Sequence, residues 1–200
     1  MYGLLIILTS ACLVGVLALP NGAPAEACAS IYPQGHNAIS PLNTTGGKGC
    51  VYLNVTAFNG SYIPGMSYSL TLVSCDAYLG LLVQGRLTAD GRTPVGKFTT
   101  AQQVKLSSCT PAESAVTHVD NIKKSNLTLL WTAPPSGTGP VTFFYAVVVD
   151  YDPAESENTF YATLQTASIR ELNGNAPLIS SQKGVLWLMI VLSGLASRLF

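Results

Sequence analysis

From residue 51 onward, apolar and polar residues alternate with a period of two, in short bursts divided by glycine and proline. Val51, Leu53, Val55 and Ala57 fall on one face of a strand, with Tyr52, Asn54 and Thr56 on the other. Met66 to Ser74 alternates again and groups Tyr68, Leu70 and Leu72. Leu79 to Leu87 is more continuously apolar, the pattern of a buried strand. Val95 to Thr99, Val104 to Leu106 and Ala115 to His118 are short strand candidates. Asn126 to Thr132 puts Leu127, Leu129 and Trp131 on one face, and Val141 to Asp150 is rich in β-branched and aromatic residues. Phe160 to Thr166 closes the series. Turn chemistry separates the strands: Asn59-Gly60, Ile63-Pro-Gly65, Ala89-Asp-Gly-Arg-Thr-Pro94 and the loop Pro134 to Pro140. No sustained 3.6-residue period interrupts them. The pattern predicts an all-β domain, an antiparallel β-sandwich of seven to nine strands, with Trp131 in its core.

The two ends break the pattern. Leu4 to Leu19 is an uncharged apolar run ending in small residues, which reads as a secretory signal peptide over residues 1–18. Cleavage is expected near Ala18, with Ala23-Pro-Ala25 as the alternative site; a retained signal anchor is the other reading, for which the run is short. Residues 19–49 are rich in Gly, Pro, Ala and Asn and read as irregular backbone. Gly184 to Ala196 is a second apolar run, preceded by small residues and a polar spacer. That order is the signature of a glycosylphosphatidylinositol (GPI) attachment signal, with Asn173, Gly174 and Asn175 as attachment candidates. A short transmembrane stub is the alternative. The expected organisation is therefore a domain over 19–170, a linker over 171–183 and a tail over 184–200.

Composition agrees with an exported chain. Of five cysteines, Cys12 lies in the leader, so Cys28, Cys50, Cys75 and Cys109 remain, an even number with three possible pairings. Four sequons begin at Asn43, Asn54, Asn59 and Asn126 and mark expected surface glycosylation. The net formal charge is zero and charged residues make up 10% of the chain, which leaves no basic patch for nucleic acid. Lys105 and the pair Lys123-Lys124 read as solvated loop positions, with contact to sulfated glycans or bacterial phosphates as the alternative.

Catalytic constellations are not evident. There is no Gly-x-Ser-x-Gly elbow and no His-Glu-x-x-His. Glu155 and Glu157 read as solvated, not as a glycosidase pair. His36 and His118 supply two possible metal ligands where a closed site needs four, so hydrogen bonding to loop backbone is the expected role. The reading is non-enzymatic, with no cofactor.

Several short motifs, in order, resemble the reeler (reelin N-terminal) domain. They are Gly22-Ala-Pro24, Ala27-Cys28, Pro33-Gln-Gly-His36 and Tyr62-Ile-Pro-Gly65. Gly80-Leu-Leu-Val-Gln-Gly-Arg86 resembles the family's GFLLQAR strand, with Leu81 in place of the aromatic, and Pro94-Val-Gly-Lys-Phe98 resembles its PVGTF. Cys109, Ala115-Val-Thr-His118, Trp131-Thr-Ala-Pro134 and Gly139-Pro-Val-Thr-Phe143 complete the set. The resemblance implies an immunoglobulin-like sandwich and a bridge from Cys28 to Cys109, leaving Cys50 with Cys75. That bridge would bring His36 and His118 into one region. Larger relatives append spondin, DOMON or cytochrome segments that this chain lacks, so their reductase chemistry is not carried over. Stand-alone reeler domains resemble insect defence proteins. The implied function is extracellular recognition of microbial glycans or lipopolysaccharide at the cell surface, through a GPI or membrane tail. The alternative is a matrix or adhesion module that binds glycosaminoglycans.

Overall fold

The computed structural model describes residues 21–33, 40–41, 51–56, 60–150 and 160–172. One short helix, α1 (Ala27–Ser30), precedes a run of strands: β1 (Ser40–Pro41), β2 (Val51–Val55), β3 (Ser61–Tyr62), β4 (Ser67–Ser74), β5 (Gly80–Leu87) and β6 (Lys97–Thr99). Then come β7 (Val104–Leu106), β8 (Ala115–His118), β9 (Leu127–Thr132), β10 (Val141–Asp150), β11 (Phe160–Gln165) and β12 (Arg170–Glu171). Nine of these strands have three residues or more, and each of the nine lies where the period-two pattern puts one.

The strands form two main sheets. One has the order β1-β11-β10-β5-β8-β7 and the other β2-β4-β9-β6, with β12-β3 as a two-stranded addition. The main ladders are antiparallel, but β1 pairs β11 and β12 pairs β3 in parallel. Those two-residue pairings carry too little periodicity to be read from sequence.

The core lies between the sheets. Leu53, Leu70, Leu72, Leu129 and Trp131 face inward from the smaller sheet, and Val83, Val116, Phe143, Tyr145 and Val147 from the larger. Burial of these side chains supplies most of the driving force, about 25 cal/mol per Å² of apolar surface. Trp131 packs edge-on to Phe143 at 4.8 Å and to Tyr62 at 6.0 Å. Gly96 closes over the same indole: at φ 72°, a Cβ there would lie 2.3 Å from Trp131 Nε1. Only glycine meets both demands, which gives the Pro-Val-Gly-Lys-Phe motif its physical reason.

A third layer explains why β5 is buried on both faces. Leu81 and Val83 point into the sandwich, while Leu82 joins Ala27, Ile31, Cys109, Ala115 and Ala146 in a second cluster on the outer side of the larger sheet. The N-terminal segment thus lies across that sheet. Residues 27–30, expected to be irregular, form one helical turn that ends with Ile31 at φ 52°. A β-branched residue in the left-handed region is strained; burial of Ile31 to 1% exposure holds it there. The bridge Cys28–Cys109, with Cα atoms 5.5 Å apart, belongs to this second cluster. Trp131 belongs to the first, so the tryptophan-on-disulfide packing of immunoglobulin domains is not reproduced by this bridge.

The folded unit continues past residue 170. Glu171 is the second residue of β12, and the Leu172 amide donates to Tyr62 O at 2.7 Å. The leader, the linker beyond residue 172 and the tail lie outside the described residues. Among the described residues, no helix is long and apolar enough to cross a membrane.

Candidate functional site

The polar side chains that could carry chemistry gather in three places. The first is the seam between the N-terminal layer and the larger sheet. Alternation along β5 turns Gln84 and Arg86 outward, under α1, where both are almost fully buried. Arg86 donates from Nε to Gln84 Oε1 at 2.8 Å and from Nη1 to Gly91 O at 2.9 Å. Its Nη2 donates to the carbonyls of Cys28 and Ala29, and its guanidinium lies 5.2 Å over the Phe144 ring. Gln84 Nε2 in turn donates to Ser114 Oγ. A five-donor planar fork suits this set of divergent carbonyls in a way that lysine would not. The Gln-x-Arg of β5 is therefore a clamp on the α1 carbonyls.

His118 and Thr117 close the same seam further along. Leu81 N–H donates to His118 Nδ1 at 3.1 Å, and Leu81 O and Thr117 Oγ1 each lie 3.2 Å from the same nitrogen. Thr117 Oγ1 donates to Leu81 O and accepts from Ala23 N–H, each at 2.8 Å. The ring packs over Gly80, and a Cβ on Gly22 (φ 106°) would meet Thr117 Cγ2 at 2.7 Å. The Gly-Ala-Pro opening and the Ala-Val-Thr-His strand are thus two halves of one docking contact. His36 lies outside the described residues, so its expected proximity to His118 is not addressed.

The second place is the 119–125 loop, and it corrects the sequence reading. Lys124, expected in a solvated loop, is 1% exposed. Its Nζ shares three protons among four acceptors: Asp120 Oδ1 and Ile122 O at 2.7 Å, Asp120 O at 2.8 Å and Leu79 O at 3.2 Å. Paired backbone bonds between Lys124 and Tyr78 fasten the loop to the larger sheet. The hydrogen bond from Lys124 holds the Asp120 carboxyl below its ordinary range. Burial pushes the Tyr78 phenol up. Lys124 is consequently withdrawn from any sulfated or phosphorylated partner, while Lys123 is exposed and Lys105 half-buried.

The third place is the loop Pro134 to Pro140. Glu171 accepts from the amides of Gly137 and Gly139, both at 2.8 Å, and from Ser136 Oγ at 3.1 Å. The Gly137 and Gly139 amides hold its carboxyl below the ordinary carboxylate value. Tyr62 Oη donates to Gly139 O at 2.7 Å, and burial, with Glu171 nearby, pushes its phenol up to about 12. Sequence reasoning missed Glu171; its signal is a lone carboxylate beyond a glycine-rich loop, visible only once β12 is paired.

These groups meet backbone or one another and do not converge on a reacting centre. Among the described residues, no cluster of three His, Cys, Asp or Glu could hold a metal. A shallow open cleft of about 220 Å³ lies between Leu53 and Val55 of β2, Gly60 and the 166–169 turn. It is smaller than the roughly 300–1,000 Å³ typical of small-molecule sites.

Of the other sequence-predicted residues, Asn54 and Asn126 are exposed. Cys75 is disulfide-bonded, and Cys50, its expected partner, lies outside the described residues. So do Asn43, Asn59, Asn173, Gly174, Asn175, Glu155 and Glu157.

Comparison with known proteins agrees with this geometry. The chain is 31% identical over 161 residues to "Putative defense protein 3" of Antheraea mylitta, covering 78% of this chain and 88% of that one. It is 28% identical over 171 residues to "Putative ferric-chelate reductase 1" of Danio rerio, covering 83% of this chain but only 27% of that protein. The human F-spondin reeler domain superposes with a TM-score of 0.51 at 20% identity, covering 68% of this chain and 96% of that one, a likeness of fold. The family described as the Reeler domain matches residues 26–176. With the arginine clamp, the Cys28–Cys109 staple and the glycine-on-tryptophan contact all lying within that span, the chain belongs to the reeler domain family.

Proposed function

We propose that this protein is a non-enzymatic recognition module of innate defence. It is exported, held on the outer membrane face through its C-terminal tail, and binds microbial surface components such as lipopolysaccharide or β-glucan. The observation that carries this reading is the 31% identity along 88% of the protein named "Putative defense protein 3". The reductase relative, by contrast, shares only 27% of its length with this chain. The side chains support the same conclusion: Arg86, His118, Lys124 and Glu171 act as structural clamps. Binding then falls to exposed loops and surface, where contacts to extended glycans need no deep pocket.

The test is co-sedimentation of purified protein with whole bacteria and with insoluble β-glucan, together with capture on immobilised lipopolysaccharide. Saturable retention on at least one surface is expected. Absence of retention on all of them, with the protein folded, refutes the reading.

A further inference from the structure

Two of the four sequons converge on one face of the fold. Side chains two apart along a strand point the same way, so the asparagine and hydroxyl residue of a sequon share a face there. Asn54 sits on β2 and Thr128 on β9, with β4 between them, and the register aligns Asn54 with Thr71 and Thr71 with Thr128. Asn126 stands just before β9, exposed, in the same outward alternation as Thr128. With about 4.8 Å between strands and 3.4 Å per residue, the two asparagines stand roughly 12 Å apart on the outer face of the smaller sheet.

That face has an exposure to manage. Tyr52 is 51% exposed and Leu130 is 44% exposed on it. Among the described residues β2 is also a sheet edge, with the sequence Val-Tyr-Leu-Asn-Val. An apolar edge strand of this kind is a template for pairing with a second chain. The outer face of the larger sheet is treated differently, being covered by the N-terminal layer.

We infer that N-glycans on Asn54 and Asn126 form a shield over the outer face of the smaller sheet. They cover Tyr52 and Leu130, bar the β2 edge from intermolecular pairing, and leave recognition to the loops at the ends of the sandwich. The inference rests on export of the chain through a glycosylating compartment. There the asparagine amide nitrogen displaces the pyrophosphate of a lipid-linked oligosaccharide. The carbon–nitrogen bond forms at the sugar's anomeric carbon, the bond to the lipid pyrophosphate breaks, and the amide gives up one proton.

The test expresses the full chain in a eukaryotic secretory host and maps each sequon by the Asn-to-Asp conversion that peptide N-glycosidase leaves. Asn54 and Asn126 are expected to be occupied. Asn54→Gln with Asn126→Gln, or independently Thr56→Ala with Thr128→Ala, is expected to give concentration-dependent association by light scattering, while Asn43→Gln with Asn59→Gln is not. Glycan at Asn43 or Asn59 with Asn54 and Asn126 bare overturns the shield and leaves the export reading standing. So does full occupancy with unshielded variants that stay monomeric. No glycan at any sequon overturns both.

Discussion

Replacing Arg86 by methionine keeps most of the apolar stem and removes the clamp on α1. Four acceptors lose their donor: Gln84 Oε1 and the carbonyls of Cys28, Ala29 and Gly91. Each lost bond costs about 1 kcal/mol net, and more where the orphaned acceptor stays dry. Gln84 is buried to 1% exposure, so its oxygen falls at the costly end. Ala29 is exposed and Cys28 and Gly91 are half-buried, so water recovers part of the remainder. The sum is about 3 kcal/mol, which corresponds to a fall in Tm of roughly 6–12 °C for a domain of this size. The loss should also be local. Because Cys28–Cys109 still tethers the segment, amide exchange should accelerate at Ile31, whose N–H donates to Ala27 O, and at Ala23, bonded to Thr117. Protection on β4 and β9 should change only by the global amount. Urea denaturation with hydrogen exchange provides the assay. An Arg86→Met protein within about 0.5 kcal/mol of the parent, the range of ordinary surface changes, would refute the clamp. So would loss of protection centred on the smaller sheet.

Three further predictions follow from the other contacts. Gly96→Ala should cost about 2–4 kcal/mol in denaturant unfolding, because its Cβ would collide with the Trp131 indole at a positive φ; a neutral result would contradict the close contact of Gly96 with the indole. Lys124→Met should destabilise strongly while Lys123→Met is nearly neutral, since one ammonium is caged and the other solvated; equal effects in thermal melts would contradict the cage. The folded-state value of Glu171 is depressed, so its contribution to stability is present above the ordinary carboxylate range and is lost as pH falls through the lower folded value. Glu171→Gln should therefore flatten part of the acid limb of the stability–pH curve, and an unchanged limb would exclude the clamp on Gly137 and Gly139.

The long strands were legible because period-two alternation is the direct imprint of a surface with one wet and one dry face. Asn54 outward and Leu53 inward, or Leu127, Leu129 and Trp131 together, follow from that alone. What stayed hidden depends on contacts distant in sequence. The helical turn at 27–30 is too short to show a 3.6-residue period, and its apolar residues make sense only against Leu82 and Ala146. Lys124 looked like a surface lysine because nothing in its neighbourhood in the chain announces Leu79 O as an acceptor. Glu171 reads as linker in the sequence because a two-residue parallel strand has no pattern of its own. The Cys28–Cys109 pairing came through family resemblance, and the structure brings together two residues 81 apart in sequence.

The central claim, a surface-tethered recognition module, is tested most directly on cells that display the full chain. Such cells should capture labelled lipopolysaccharide, β-glucan particles or bacteria, and a phosphatidylinositol-specific phospholipase should release the protein and abolish capture together. Protein that stays on the cell after treatment, or protein displayed there that captures none of these, would contradict the account.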